Sequence, residues 1–364
     1  MIKPQCFEKN WIESFRQKAE FSGLNPAVCE KMIFALHLVE LLAGSQLNFV
    51  FKGGTSLVLL LKEARRFSVD VDIVTNAKKI EIENVLDELV TNGRFTKWNL
   101  DQKRSQNSSV PKTHYEIQYD SALNKTSNKI LLDVLFENQL YPNLCKIPVV
   151  SSWIDVDEPV LVTVPDSESL LGDKLTAFAP NTTGIRYNRG KSLDIIKQLF
   201  DIGMLFDVAD DLHVIRKSFT SFVMAEISYR QLNLNVDEVL DDILQTSRLL
   251  ALRDRNKTEP HKSRFYELQQ GIKAMNAYLM QGKFTIDHAV TAAAKAAFLS
   301  VLIKNQEIQS IKKHDPSEPV TMDILLPEWN FLNRLKKQPD QAAFFYWKQT
   351  IDQLYPSVLP KKLD

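Results

Sequence analysis

Only three cysteines, Cys6, Cys29 and Cys145, are spread through 364 residues, and no two of them form a Cys-x-x-Cys pair. They cannot make a complete disulfide set, and a reducing compartment suits them, so a cytoplasmic protein is expected. None of the six histidines stands at zinc-ligand spacing from another His or a Cys, which leaves zinc chemistry without support. No Gly-x-Ser-x-Gly or Cys/His arrangement points to a hydrolase. Neither sign of charge is in excess, because 45 Lys+Arg balance 45 Asp+Glu. No overall field therefore draws the chain onto nucleic acid or an anionic membrane, and any RNA contact must come from a local basic patch. Long apolar runs are also lacking. Residues 1–16 carry Lys3, Glu8, Lys9 and Glu13 where a signal peptide needs an unbroken apolar stretch. The most apolar segment, residues 289–303, contains Lys295 and falls short of the roughly 20 residues that cross a bilayer, so no membrane span is expected.

What remains is an ordinary globular composition, 44% hydrophobic, on a chain longer than the about 250 to 300 residues at which single cores stop growing. Two lobes are expected. Apolar residues at helical spacing between Glu8 and Leu47, with Asn25-Pro26 as a start signal, predict two helices. A short strand at residues 49–52, a helix at 56–63 and a strand at 68–74 follow. Residues 80–92 read as an amphipathic helix, 96–100 and 113–119 as alternating strands joined by an exposed turn at 104–113, and 129–136 as an apolar strand interrupted only by Asp133. Asp166-Ser167-Glu168-Ser169 caps a helix carrying Lys174, a loop covers residues 180–191, and residues 192–207 form the next helix. Beyond about residue 208 helical patterns dominate, at 236–252, 264–280, 286–303, 320–335 and 341–354. The expectation is an α/β (α+β) fold with a mixed central sheet plus an all-helical C-terminal lobe. Its domains would be 1–47 (helices packing on the core domain), 48–207 (core) and 208–364 (helical).

Two features carry chemistry. Asp70 and Asp72, in Arg66-Phe67-Ser68-Val69-Asp70-Val71-Asp72-Ile73, are two apart on an expected strand and so share a face on which they can hold divalent cations. Upstream, Phe51-Lys52-Gly53-Gly54-Thr55-Ser56-Leu57 feeds an apolar helix. Its glycines let backbone approach phosphate, its hydroxyls can donate to phosphate oxygens, and Lys52 is a phosphate contact or a solvated residue. The Walker spacing is missing. Two-metal phosphoryl chemistry needs three clustered carboxylates, and Asp133 supplies the third, as a metal ligand or as a simple hydrogen-bond acceptor. Arg65, Arg66, Arg186, Arg189, Lys191 and Lys197 are candidates for a cleft mouth. Arg248, Arg253, Arg255, Lys257, His261, Lys262 and Arg264 form the densest basic run, an RNA rim or a charged linker.

Gly-Gly-Thr-Ser, a helix and Arg-Phe-Ser-x-Asp-x-Asp-Ile resemble the minimal nucleotidyltransferases of the polymerase-beta-like superfamily, specifically the AbiEii-type toxins of type IV toxin-antitoxin and abortive-infection systems. Gly172-Asp173-Lys174-Leu175-Thr176-Ala177-Phe178, Thr183-Gly184-Ile185-Arg186-Tyr187 and Ile195-Ile196-Lys197-Gln198-Leu199-Phe200-Asp201-Ile202 resemble its later blocks. The resemblance implies a magnesium-dependent transfer of a nucleotide from a nucleoside triphosphate (NTP) to an acceptor such as a tRNA 3′ end, by a toxin with a separate antitoxin. By the same resemblance Gly54 and Ser56 lie on the phosphates, Asp70 and Asp72 hold magnesium, Lys174 contacts the triphosphate or assists transfer, and Asp201 supports activity. Lys197-Gln198 replaces the Arg-Asp pair of many relatives. Two other readings stay open at this level: transfer of a nucleotide or phosphate to a protein, and a non-catalytic nucleotide sensor.

Overall fold

The computed structural model describes residues 1–17, 24–62, 64–105, 110–306 and 310–356. The chain divides into two compact units, Met1–Asp166 with Ala277–Lys283, and Ser167–Asn276 with Phe284–Asp364. This partition differs from the expected one: the helices carrying Lys174 and Asp201 group with the helical half instead of with the sheet.

In the first unit the elements run α1 (Lys9–Ser14), α2 (Pro26–Gly44), β1 (Val50–Lys52), α3 (Gly53–Leu60), β2 (Val71–Thr75), α4 (Lys79–Asn92), β3 (Phe95–Leu100), α5 (Gln102–Ser105), β4 (Lys112–Asp120), β5 (Ser127–Phe136), β6 (Leu144–Pro148) and β7 (Leu161–Pro165). Five strands form a mixed sheet in the order β1-β2-β5-β4-β3, parallel at β2/β5 and antiparallel elsewhere, while β6 and β7 pair as a hairpin. The period of two divides the sheet into two faces. Phe51, Val71, Ile73, Ile130, Leu132, Val134, Tyr115, Ile117 and Tyr119 enter the core with α2, where Phe34 stacks on Tyr119 at 3.7 Å. The alternate residues Lys52, Asp72, Asp133 and His114 are left to the other face.

Helix α2 starts where Asn25 accepts a hydrogen bond from Ala27 N and Pro26 takes the first helical position. Its sequence conceals two buried carboxylates. Glu30 accepts from Ser121 Oγ (2.8 Å) and Ala122 N (2.7 Å) at the β4–β5 turn, and Glu40 accepts from Ile2 N (2.7 Å). The segment Ala277–Lys283 returns to this unit, with Phe67 N donating to Tyr278 O (2.7 Å) and Met280 N to Arg65 O (2.9 Å).

The second unit comprises α6 (Ser167–Ala177), α7 (Ser192–Val208), α8 (Leu212–Arg230), α9 (Val236–Leu252), α10 (His261–Met275), α11 (Ile286–Lys304) and α12 (Ala342–Leu354). Helix α11 is long and apolar enough for a membrane span by length and composition, yet most of it is buried inside the unit. Its Lys295 donates to Asp207 Oδ1 at 2.6 Å.

Several expectations are corrected. The glycines lie inside the first turn of α3 and not in a loop ahead of it, the helix ends at Leu60, and Glu63 lies outside the described residues. Strand β2 begins at Val71, so Asp70 precedes it. The expected turn at 104–113 includes the start of β4 at Lys112, and residues 106–109 lie outside the described ones. Residues 320–335 form no α-helix, because Pro327 removes a backbone donor in mid-segment; a 3-10 turn at Asn330–Lys337 replaces it. The β6–β7 hairpin and α8 were not expected, although Asp211 caps α8 and Ile215, Phe219 and Val223 follow at helical spacing.

Replacing Glu30 by Ala leaves two donors without an acceptor at a site where the carboxylate is 1% exposed. The expected cost is about 1 to 3 kcal/mol of unfolding free energy, read by urea denaturation.

Candidate active site

The polar face of the sheet is assembled by register. β1 sets Lys52 opposite Asp72, the parallel β2/β5 ladder sets Asp72 beside Asp133, and β4 sets His114 opposite Asp133. Four strands thus bring three ionisable types into one row. Asp72 is half-buried and Asp70, one residue ahead of β2, is exposed, so neither carboxylate is packed away.

The glycine pair fits this corner closely. Gly53 has a φ of +79°, a conformation that L side chains avoid, and a Cβ built there would fall 2.4 Å from Asp72 Oδ2. At Gly54 a Cβ would fall 2.5 Å from Arg66 Nη2 and 2.7 Å from Ser68 Oγ. At Gly53 the backbone conformation and the contact with Asp72 both call for glycine, and Gly54 lets the first turn of α3 lie close to Arg66 and Ser68. No side chain of Lys52 caps this turn, and its N–H groups carry the positive end of the helix dipole.

Thr55 and Ser56, expected on phosphate, are fully buried and use their hydroxyls internally. Thr55 Oγ1 donates to Asp70 O, and Ser56 Oγ donates to Gly53 O at 2.9 Å. Thr55 thereby ties α3 to the backbone that carries the first aspartate. Arg66 is buried as well, donating to Phe67 O at 3.2 Å and lying under Gly54.

Asp133 is the centre of an ion cluster. Lys112 Nζ lies 2.9 Å from its Oδ2, Arg104 Nη2 3.3 Å from the same atom, and His114 Nδ1 2.6 Å from its Oδ1. Burial opposes its charge, but Lys112, the His114 hydrogen bond and Arg104 outweigh burial and hold its carboxyl below the usual range. Lys112 also lies 3.9 Å from Asp72 Oδ1. Burial works against the ammonium, yet Asp72 and Asp133 raise its pKa above the ordinary lysine value. The sequence reading missed Lys112, His114 and Arg104. The alternation of Lys112, His114, Glu116 and Gln118 with Thr113, Tyr115, Ile117 and Tyr119 was the available signal.

In the other unit, α6 and α7 bring Lys174 and Asp201 together at 3.0 Å, with side chains 7% and 0% exposed. Members of the basic run are engaged in packing: Arg248 lies over the rings of Trp329 and Phe331, Arg264 over Tyr187, and Arg253 pairs with Asp287.

A magnesium ion takes oxygen ligands, with one or two carboxylates completed by water and substrate phosphates. Asp70 and Asp72 offer that donor set, and Asp72 Oδ2 lies close against the bare backbone of Gly53. Asp133 differs, since its Oδ2 already faces two cations, Lys112 and Arg104, and its Oδ1 is hydrogen-bonded to His114. Among the described residues no group of three or more His, Cys, Asp or Glu is gathered for a metal. A cavity of about 540 Å³ at the Thr75 end of β2 has Glu81 and Glu137 and no Lys or Arg in its lining, so it is unsuited to a triphosphate.

A mixed sheet with an acidic strand following a glycine-led helix defines a nucleotidyltransferase-type domain. The family model for the nucleotidyl transferase AbiEii toxin of type IV toxin-antitoxin systems matches residues 38–274, and the chain belongs to that family. It is a nucleotidyltransferase. Among solved structures, JHP933 from Helicobacter pylori aligns over 78% of this chain and 96% of its own at 16% identity and a TM-score of 0.44. An H. pylori protein assigned as a nucleotidyltransferase aligns over 77% and 96% at 17% identity and a TM-score of 0.46. No curated protein matches.

Replacing Asp201 by Ala strands the Lys174 ammonium in the interior. It should lower stability by about 3 to 5 kcal/mol in urea unfolding, whereas the paired change Lys174→Met with Asp201→Leu should recover most of that loss.

Proposed function

We propose that this protein is a magnesium-dependent nucleotidyltransferase toxin that passes a nucleotide from an NTP to a hydroxyl of RNA, such as a tRNA 3′ end. The observation that carries the reading is the corner where Asp72 Oδ2 faces Gly53 at the first turn of α3, with Asp70 close by in sequence. Carboxylates for a hard cation and the first N–H groups of α3, which have no partner within the helix, meet there, a combination that suits a triphosphate.

In the transfer, a bond forms from the acceptor oxygen to the α-phosphorus as the bond from that phosphorus to the bridging oxygen breaks. The acceptor proton leaves to solvent or a base, and pyrophosphate departs with the electron pair. A divalent ion at Asp70 and Asp72 supplies positive charge for this step when bound. The chain's own part is to orient: Thr55 holds the Asp70 backbone, Arg66 supports Gly54, and Lys52 stands opposite Asp72. Lys174 and Asp201 enter the reading through the family resemblance, as triphosphate contact and support of activity. A cytoplasmic setting, a role in phage defence and a separately encoded antitoxin belong to the same proposal.

Incubation with each α-³²P-labelled NTP, magnesium and total cellular RNA tests it. Label should enter RNA with the wild type and fall by at least ~100-fold with Asp72→Ala, the scale on which loss of electrostatic stabilisation at the reacting group acts. Undiminished labelling by a folded Asp70→Ala, Asp72→Ala double variant would defeat it. Label entering protein, or transfer of γ-label, would redirect it to another acceptor or to a kinase.

A further inference from the structure

Asp72 and Asp133 stand side by side on β2 and β5, the relation that bridging carboxylates take when two divalent ions lie about 3.5 to 4 Å apart. The space between them is occupied by a side chain. Lys112 projects from β4, two residues from His114 on the same face, and reaches past β5 to place Nζ 2.9 Å from Asp133 Oδ2 and 3.9 Å from Asp72 Oδ1. The arrangement divides Asp72 into two ends: Oδ1 faces the ammonium, and Oδ2 faces the Gly53 corner.

Charge supports this division. Asp133 has Lys112 and Arg104 at Oδ2 and His114 at Oδ1, and of these three it is Lys112 that also lies against Asp72. Asp72 Oδ2 instead lies against the bare backbone of Gly53. A lysine ammonium is compact, carries three donors and makes a point contact with each of two carboxylates, as a small cation would.

We propose that Lys112 supplies, as a fixed ammonium between Asp72 and Asp133, the positive charge a second divalent ion would bring, so that this protein works with a single divalent ion. The inference rests on the nucleotidyl-transfer reading. It makes Asp133 the anchor of Lys112 in place of a metal ligand, and Lys112 a positioning residue for Asp72.

Manganese serves as the probe, counted by electron paramagnetic resonance on the full chain with a saturating triphosphate whose α,β-bridge cannot be cleaved. The wild type should saturate at one bound ion per protein. Lys112→Arg should keep one, and Lys112→Met should rise to two as the vacated carboxylate pair takes a second. Thermal unfolding followed by circular dichroism confirms that each variant is folded. Two ions on the wild type, or one on a folded Lys112→Met, would overturn the role of Lys112 and leave nucleotidyl transfer standing. No bound ion on the wild type would overturn both.

Discussion

The parallel pairing of β2 with β5 is the constraint on which the site depends. Because that ladder sets Asp72 beside Asp133, every odd-numbered apolar residue of β2 falls on the core side and the aspartate on the other. A slip of one residue would send Asp72 into the packing of Phe51, Leu132 and Tyr115 and bring Val71 to the polar face. Burying an unpaired carboxylate among such side chains is expensive, so the core that stabilises the sheet also protects the register of the site.

Around that register the chain builds support inward from two directions. The hydroxyl of Thr55 holds the backbone of Asp70, and the bare backbone of Gly53 and Gly54 lets α3 approach Asp72 and Arg66. From the far side of the sheet, Glu30 and Glu40 on α2 fasten the β4–β5 turn and the N-terminal segment. The residues closest to the proposed chemistry are thus held in place by hydrogen bonds and close packing from their neighbours. The hydroxyls of Thr55 and Ser56, which the sequence suggests for phosphate, and Arg66, suggested for the cleft mouth, all make hydrogen bonds within this support.

Much of the fold was legible from local patterns. β3, β4 and β5 and most of the helices lie within a few residues of where periodicity placed them, because alternation and the 3.6 period are properties of single segments. The aspartates and the glycine pair were legible for the same reason: each is a short motif. What could not be read depends on partners distant in sequence. Lys112 looked like part of a solvated turn until pairing with β5 placed it against Asp133, 21 positions on. The burial of Glu30 depends on the β4–β5 turn, whose Ser121 and Ala122 come to cover it from 91 and 92 positions away. The β6–β7 hairpin is short and ends in prolines, and α8 was overlooked in spite of its cap and spacing. The grouping of Lys174 and Asp201 with the helical unit likewise emerges only from tertiary contacts.

The central claim is that the Asp72–Gly53 corner receives a divalent ion together with a triphosphate. Anomalous diffraction from crystals grown with manganese and a non-cleavable triphosphate addresses it directly. The account predicts a peak at oxygen-coordination distance, about 2 Å or slightly more, from carboxylate oxygens of Asp70 and Asp72, with phosphate density at the first turn of α3. A triphosphate bound elsewhere, with no peak beside Asp72, would contradict it.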